Sequence, residues 1–280
     1  MTAMYESEMP KITIKCPIRY HLPCVILLDK SGSMYGKPIN ALNEALIEFK
    51  EKFEPNNEDH DVIDICIIAF GGTGDGSLPD VEIVQNFAPA NEMFYTKKLI
   101  AYGGSPLAQA VETGLKEIAR IKKEYKENAV DYYRPWLVCI TDGESTEMRG
   151  YYNCVKVSLK KETEGKHVNP WGIGVGDCNY KELYDFFGEG HAFRLEGSKF
   201  KELFNYLKSI WDYGYPQPYP QPIDSEGNRF LFPVVFGDNS EDNSDDEIAD
   251  SEQANEVFAD DSETGDADEK PVLEKITFDD

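Results

Sequence analysis

Residues 23–33 read PCVILLDKSGS, and the fold is decided by this stretch. The apolar run from Pro23 to Asp29 shows no alternation with polar residues, which predicts a strand buried on both faces of a sheet. After SGSMYGKP, the apolar residues recur at helical spacing and predict one buried stripe: Ile39, Leu42, Leu46, Phe49 and Phe53. Pro38 suits the first turn of that helix, where its missing N–H needs no partner.

The same alternation of strand and helix continues to residue 211. Apolar runs predict further strands at 62–70, 81–87, 136–141, 171–175 and 191–195. Helical stripes follow Pro106, where Ser105 is expected to be the cap, and cover 183–187 and 200–211. This order predicts an α/β, Rossmann-like doubly wound fold, with a mostly parallel central sheet and helices on both faces. Ligands of such sheets bind beyond the carboxyl ends of the strands, where the strand order reverses.

Composition divides the chain into three parts. Residues 1–211 form the predicted domain, with its core at 22–211, and a Pro/Gln/Tyr-rich linker with a short apolar segment occupies 212–237. Residues 238–280 contain 18 acidic and 2 basic side chains, or −16 of the total −24, so the rest carries only −8. We expect this acidic tail to be disordered, because it has few apolar residues to bury. Its one apolar cluster, at 272–278, is either a docking motif or chance.

Charge and sequence pattern exclude several classes of function. The net charge of −24 argues against nucleic acid and anionic membranes, both of which attract basic surfaces. The sequence has neither a signal-peptide pattern at residues 1–15 nor an apolar run long enough to span a bilayer. Cys66 and Cys139 lie within apolar runs and are expected to be reduced core thiols. We therefore expect a cytoplasmic protein that is monomeric when alone.

Three distant loops carry the residues that suggest chemistry: Asp29-Lys30-Ser31-Gly32-Ser33, Gly103-Gly104-Ser105-Pro106-Leu107 and Thr141-Asp142-Gly143-Glu144. All three should meet at the carboxyl edge of the sheet. Hydroxyl and carboxylate oxygens are the ligands that Mg²⁺ prefers, whereas zinc sites use thiolate and imidazole. We expect these residues to hold Mg²⁺, with Mn²⁺ or Ca²⁺ as alternatives: Asp29, Ser31, Ser33, Ser105 and Asp142.

These five positions resemble the metal-ion-dependent adhesion site of von Willebrand factor A domains. The family pattern is D-x-S-x-S, then Thr or Ser in a Gly-rich loop, then Asp in a T-D-G turn. The resemblance covers about Leu22 to Trp211. Within the family, LDKSGSM, ALNEAL, YGGSPL, YRPWLVCITDGE and WGIGVG look like the bacterial tellurium-resistance-associated, TerY-like branch. The departure is Ser105, where Thr is commoner; the hydroxyl is kept but the methyl that restricts its rotamers is lost.

The resemblance implies an interaction module rather than an enzyme. The cation would keep one coordination position for an Asp or Glu carboxylate of a partner protein, and a stress-response or tellurium-resistance type of assembly is the implied setting. Residues expected to contact that partner are Met34, Tyr35, Tyr102 and Glu144, although Met34 and Tyr35 could equally be packing residues.

Three alternatives remain from the residues alone. The carboxylates could be ordinary strand ends and the serines helix caps. The chain could be a metal-independent scaffold that acts through its acidic tail. It could also be a phosphotransfer or hydrolase enzyme with Asp29 as nucleophile, but the second carboxylate that such phosphatases place two residues later is here Ser31.

Overall fold

Strands and helices alternate along the chain in a computed structural model that describes residues 14, 19–53, 62–73, 79–93, 98–142, 144–188, 190–195, 197–212 and 275–276. The strands are β1 (Leu22–Asp29), β2 (Ile63–Phe70), β3 (Val81–Pro89), β4 (Tyr132–Tyr133), β5 (Trp136–Thr141), β6 (Asn169–Val175), β7 (Ala192–Leu195) and β8 (Lys275–Ile276). The helices are α1 (Lys37–Glu51), α2 (Leu107–Glu127), α3 (Arg149–Glu164), α4 (Tyr180–Phe187) and α5 (Phe200–Asp212).

Six strands form one sheet in the order β3-β2-β1-β5-β6-β7. All neighbours in this sheet are parallel except β2 and β3, which are antiparallel. The connection between β2 and β3, residues 71–80, is too short for a crossover helix, so β3 turns back along β2. The chain builds one half of the sheet from β1 to β3 and then crosses through α2 to β5 on the other side of β1. The strand order therefore reverses between β1 and β5, and the predicted doubly wound α/β fold is confirmed.

Both faces of β1 are covered, as its continuous apolar run predicts. Val25 and Leu27 belong to the core beneath α2, α3 and α4, whereas Ile26 and Leu28 belong to the core beneath α1 and α5. All four side chains have no exposed surface. Burial of each stabilises the fold by about 1.5–3 kcal/mol relative to exposure, so this strand is the rigid centre from which the site residues extend.

The predicted helix cap at Ser105 is wrong. Helix α2 begins at Leu107 with Pro106 at the N-cap position, and no side chain caps it from there. Instead, the carboxylate of Glu147 accepts hydrogen bonds from the N–H groups of Ala108, at 2.6 Å, and Gln109, at 2.8 Å. The hydroxyl of Ser105 does not cap the helix and instead donates to the carboxylate of Asp29.

A short piece of the acidic tail contacts the domain. Lys275 and Ile276 pair in antiparallel fashion with Tyr133 and Tyr132, at the amino end of the sheet. This pairing involves the apolar cluster at 272–278, the candidate docking motif. The first residue of the predicted 212–237 linker, Asp212, is the last residue of α5. The rest of the linker and the rest of the tail lie outside the described residues. Within the described part of the chain, no helix has the length and apolar character needed to cross a bilayer.

Candidate metal centre

The candidate site lies where the strand order reverses. Asp29 is the last residue of β1, and Thr141 is the last residue of the neighbouring strand β5, with Asp142 directly after it. Ser31 and Ser33 follow β1, and Ser33 lies in a 3-10 turn, Gly32–Met34. The parallel pairing of β1 with β5 places both strand ends at one edge of the sheet, so residues 112 positions apart become neighbours.

Asp29 is the buried centre of the site. Its side chain has no exposed surface, and both carboxylate oxygens accept hydrogen bonds. Oδ1 accepts from the backbone N–H of Ser31 at 2.7 Å. Oδ2 accepts from the hydroxyls of Ser105, at 3.0 Å, and Thr141, at 2.5 Å. Three separate segments of the chain are thus joined through one carboxylate.

The remaining predicted ligands continue this network towards solvent. The Oγ atoms of Ser31 and Ser33 lie 3.0 Å apart, and the Ser33 hydroxyl donates to Oδ1 of Asp142 at 2.8 Å. Ser31 is buried, Asp142 is half-buried and Ser33 is exposed. The structure therefore brings all five predicted residues together, in a site that is closed beneath Asp29 and open beside Ser33.

Burial raises the pKa of both carboxyl groups in the site. Burial raises the pKa of Asp29 to about 6, against the opposing effect of hydrogen bonds from Thr141 and Ser31, and the charge of Asp142 raises it further. Burial likewise raises the pKa of Asp142 above its ordinary value. In both groups burial disfavours the charged form, and the hydrogen bonds that each carboxylate accepts offset this effect only in part.

The donors in the site fit a hard cation. Hydroxyls of Ser31, Ser33 and Ser105 and the carboxylates of Asp29 and Asp142 are all oxygen ligands, which Mg²⁺ favours. Among the described residues, no group of three or more His, Cys, Asp or Glu side chains could hold a metal. The candidate site does not conflict with that finding, because it contains only two carboxylates and its other three donors are serine hydroxyls.

Glycines allow the three loops to approach each other. The N–H of Gly32 donates to the carbonyl of Gly103 at 2.8 Å. Gly103 has a φ of +70°, and a Cβ built on it would lie 2.1 Å from the carbonyl oxygen of Gly72. Gly72 and Gly104 in turn exchange backbone hydrogen bonds of 3.2 and 2.6 Å. Only a residue without a side chain fits at 103, two residues before Ser105.

Lys30 fixes the first loop to the second. Its ammonium group is buried and donates to the hydroxyl of Tyr102 at 2.7 Å and to the carbonyl of Gly71 at 3.1 Å. The same nitrogen lies 4.0 Å from the centre of the Tyr102 ring. The N–H of Tyr102 also donates to the carbonyl of Lys30 at 2.9 Å. The sequence analysis did not single out this lysine. Its hydrogen bonds go to Gly71 and Tyr102, not to the carboxylates of the site, so it connects neighbouring loops.

The residues predicted to contact a partner fall into different environments. Met34 has no exposed surface, so its prediction as a partner contact is wrong, and it is the packing residue that the alternative describes. Tyr102 is half-buried with its hydroxyl engaged by Lys30. Tyr35 is 81% exposed. Glu144 is exposed and accepts a hydrogen bond from the amide of Asn179 at 2.7 Å. Tyr35 and Glu144 are accessible to a partner.

Sequence reasoning missed two further residues that shape the site. Thr141 donates the short hydrogen bond to Asp29, and Glu147 joins the third loop to the start of α2. The signal for Thr141 was its place in the T-D-G turn, where its side chain points to the same edge as Asp142. Glu147 offered no such signal, because the backbone N–H groups that it binds at the start of α2 lie 38 and 39 residues away in the sequence.

Comparisons with known proteins agree with this architecture. Residues 24–207 match the family model of the von Willebrand factor type A domain. The pilus adhesin SpaC of Lactobacillus rhamnosus GG, in its open conformation, superposes with a TM-score of 0.54 at 11% identity, over 70% of this chain and 30% of SpaC. The vWF domain of the type V pili tip protein Mfa5 of Porphyromonas gingivalis gives 0.52 at 10% identity, over 71% of this chain and 97% of that domain. At these identities the likeness shows the fold alone. The comparison with curated proteins finds no match.

Proposed function

The chain belongs to the von Willebrand factor type A domain family, and from that premise we propose that it is a protein-interaction module that binds a partner's carboxylate through Mg²⁺. The observation that carries this proposal is the continuous network of Asp29, Ser31, Ser33, Ser105 and Asp142, all oxygen donors, at the reversal of strand order. Family members are generally modules for interaction or adhesion, and SpaC is itself a pilus adhesin.

Each residue has a part in this proposal. The hydroxyls of Ser31, Ser33 and Ser105 would bind the cation, and Asp29 and Asp142 would supply negative charge directly or through water. A bound Mg²⁺ supplies a positive charge that attracts an anionic oxygen. Because Ser33 is exposed and Asp142 only half-buried, an Asp or Glu of a partner can reach the site from that side.

An enzymatic role finds less support from the same geometry. Asp29 has no exposed surface, and both of its oxygens already accept hydrogen bonds, so it is not presented to a phosphoryl group. Ser31 occupies the position where phosphatases of that kind need an acid or base. We therefore propose binding, not catalysis, for this site.

The setting of the interaction is part of the proposal. The stretches LDKSGSM, YGGSPL and WGIGVG resemble the tellurium-resistance-associated branch, which suggests a cytoplasmic assembly of the stress-response type. The rival function is a metal-independent scaffold that works through the acidic tail. Truncation after Phe236 separates the two, because partner capture through the metal site should survive it and capture through the tail should not.

Thermal unfolding with and without Mg²⁺ tests the cation site directly. A ligand that binds only the folded state stabilises it by about 2.7 kcal/mol at one hundred times its Kd, so millimolar Mg²⁺ or Mn²⁺ should raise the Tm. Asp142→Asn should remove most of this rise. Asp177→Asn is the matched control, since Asp177 is an exposed carboxylate that follows β6 at the same edge of the sheet. Equal rises in Asp142→Asn and in the unsubstituted chain would contradict the proposal.

Partner binding should follow the cation. A pull-down from native lysate should lose its specific partner in EDTA and recover it when Mg²⁺ or Mn²⁺ is returned. Ser33→Ala should abolish recovery without unfolding the domain, because Ser33 is exposed and its hydroxyl contacts the side chains of Ser31 and Asp142 at the open side of the site. Binding that persists after the metal has been removed would favour the scaffold.

A further inference from the structure

Strand β4 presents backbone groups along one edge. Its other edge is bonded to the residue before β1: the N–H of His21 donates to the carbonyl of Asp131 at 2.9 Å, and the N–H of Tyr133 donates to the carbonyl of His21 at 2.8 Å. His21 and Tyr132 thus form a parallel bridge. The N–H and C=O of one residue point to the same side of a strand, and successive residues alternate between sides. Both backbone groups of Tyr132 therefore face away from His21, towards the outer edge of β4.

Buried side chains hold β4 in place. The ring of Tyr132 packs on that of Tyr125, with 5.3 Å between centroids, and Tyr125 packs on His21 at 5.5 Å. Asp64 joins the last two, since its carboxylate lies 2.6 Å from Nδ1 of His21 and accepts from the Tyr125 hydroxyl. All four side chains are buried. An edge that is already fixed loses little conformational freedom when a strand is added to it, which favours pairing.

Strand β8 occupies this outer edge. Ile276 lies opposite Tyr132, and Lys275 lies opposite Tyr133, in antiparallel register. The N–H of Tyr133 is already bonded to His21, so the pair of Tyr133 and Lys275 is the one without hydrogen bonds between its members. The pair of Tyr132 and Ile276 is the one that exchanges backbone hydrogen bonds. The contact with β4 thus depends on the N–H of Ile276 and not on that of Lys275.

The segment that contains β8 differs in charge from the rest of the acidic tail. Residues 270–278, KPVLEKITF, contain both basic side chains of the tail and one acidic side chain, a net charge of +1. The tail carries −16 in total, so its remaining residues carry −17. Residues 1–237 carry −8 and therefore repel the rest of the tail but not this segment. We call residues 270–278 the C-terminal segment.

The contact between β8 and β4 is short and lies within one chain. A sheet of two short strands is only marginally stable by itself, so this pairing can open and close. Residues 213–274 connect α5 to β8, and their contour length of about 200 Å is ample for the segment to reach β4 of its own chain. This tether raises the effective concentration of the segment at β4, which favours pairing within one chain over pairing between copies.

We propose that β4 is a strand-addition site whose occupant is the C-terminal segment of the same chain, which opens and closes on it. In the closed state the segment covers a backbone edge that would otherwise pair with extended segments of other proteins. The site lies before β1 and the metal centre lies after it, so the eight residues of β1 separate the two by about 25 Å. Closure is therefore independent of the cation, and it gives the acidic tail a role beyond the proposed function.

Amide hydrogen exchange of the full-length chain, measured by NMR, tests the closed state. The N–H of Tyr132 faces β8, whereas the N–H of Tyr133 is bonded to His21 and serves as an internal reference. Ile276→Pro removes the N–H that pairs with Tyr132, so exchange at Tyr132 should accelerate roughly tenfold, the effect of losing one or two ordinary hydrogen bonds. Lys275→Pro is the matched control and should leave that rate nearly unchanged, because the Lys275 N–H points away from β4.

Two results of this measurement would overturn the proposal. One is equal acceleration at Tyr132 in both proline variants, and the other is unchanged exchange at Tyr132 in Ile276→Pro. Exchange at Tyr132 in the unsubstituted chain should be the same in EDTA and in Mg²⁺. The outcome is therefore separate from that of the cation experiments.

A synthetic peptide of residues 270–280 tests the occupant of the site. A fluorescent form of it should bind the full-length Ile276→Pro chain about tenfold more tightly than the unsubstituted chain, whose own segment competes for β4. N-methylation of the peptide at Ile276 should abolish this binding, and N-methylation at Lys275 should not, because only the first blocks an N–H that faces β4. Equal binding to the two chains would overturn occupancy within one chain. Dimers of the unsubstituted chain that dissociate in Ile276→Pro, seen by sedimentation, would assign the segment to a second copy instead.

Discussion

Gly103→Ala tests most directly whether the site depends on the close approach of its loops. Gly103 has a φ of +70°, and an alanine Cβ there would lie 2.1 Å from the carbonyl oxygen and 2.2 Å from the carbonyl carbon of Gly72. Both neighbours are backbone atoms, so no side-chain rotation relieves the contact. The loop must move, and with it the pairing of Gly104 with Gly72 and the approach of Ser105 to Asp29.

The expected cost has two parts. The left-handed conformation costs an alanine about 1–2 kcal/mol, and the forced displacement adds about 1–3 kcal/mol, the usual range for overpacking. Gly176→Ala is the matched control, because Gly176 has a φ of +61° but nothing within 4 Å of its Cβ position. It should lose only the conformational part, about 1–2 kcal/mol.

Urea denaturation, monitored by tryptophan fluorescence, measures the loss of unfolding free energy in both variants, because Trp136 and Trp171 are buried in the core and report unfolding. The unfolding free energy should fall by about 2–5 kcal/mol in Gly103→Ala. The Mg²⁺-dependent rise in Tm should be lost in Gly103→Ala and kept in Gly176→Ala. Equal destabilisation by the two substitutions, or a full Mg²⁺ response in Gly103→Ala, would refute the argument that the site depends on this close approach.

Three further predictions concern the buried polar groups. Asp64→Ala should lower the unfolding free energy, measured in urea, by about 3–5 kcal/mol, because Asp64 is fully buried, lies 2.6 Å from Nδ1 of His21 and accepts from the Tyr125 hydroxyl. The control is Asp185→Ala, which removes the exposed partner of Lys156 and should cost less than about 1 kcal/mol. Thr141→Val should cost about 1–3 kcal/mol at pH 8 by removing a donor to the ionised Asp29, whereas Thr163→Val, which loses only a bond to its own helix, should cost less than about 1 kcal/mol. Iodoacetamide should modify Cys154 in the native protein but Cys66 and Cys139 only after unfolding, since burial raises the pKa of both core thiols, and peptide mass spectrometry would show the order.

Much of the fold could be predicted because its signals are local. The unbroken apolar run of β1 requires cover on both faces, and the stripe that begins at Ile39 belongs to α1, one of the helices on one face. The strand at 81–87 was predicted, but its antiparallel direction was not, although the short 71–80 connection excludes a crossover helix. The pairing of β4 with β8 joins residues more than 140 positions apart, and two-residue strands have no periodicity to detect.

The residues of the candidate site were likewise predicted only in part. Its five oxygen donors could be recognised from spacing and from their positions at strand ends, and the structure brings them into one network. Ser105 as a helix cap was wrong because a serine before a helix fits both roles, and only the position of Asp29 decides between them. Met34 was wrong as a partner contact because a 3-10 turn, unlike a strand or helix, has no regular inward face that the sequence reveals. The binding of Mg²⁺ stays a prediction.

The hydrogen bonds of Asp29 join residues that leave the ribosome at very different times. Its partners Ser105 and Thr141 lie 76 and 112 residues further along the chain. Under the proposed function, this full set of side chains could hold a cation only after the ribosome had released β5, so ion capture would come after the central strands have paired. A chain truncated before Thr141, or one trapped with β5 undocked, would keep the D-x-S-x-S segment but lack the donors that complete it. If partners bind through the cation as proposed, incomplete chains would not capture them, because the donors that complete the site are far apart in the sequence.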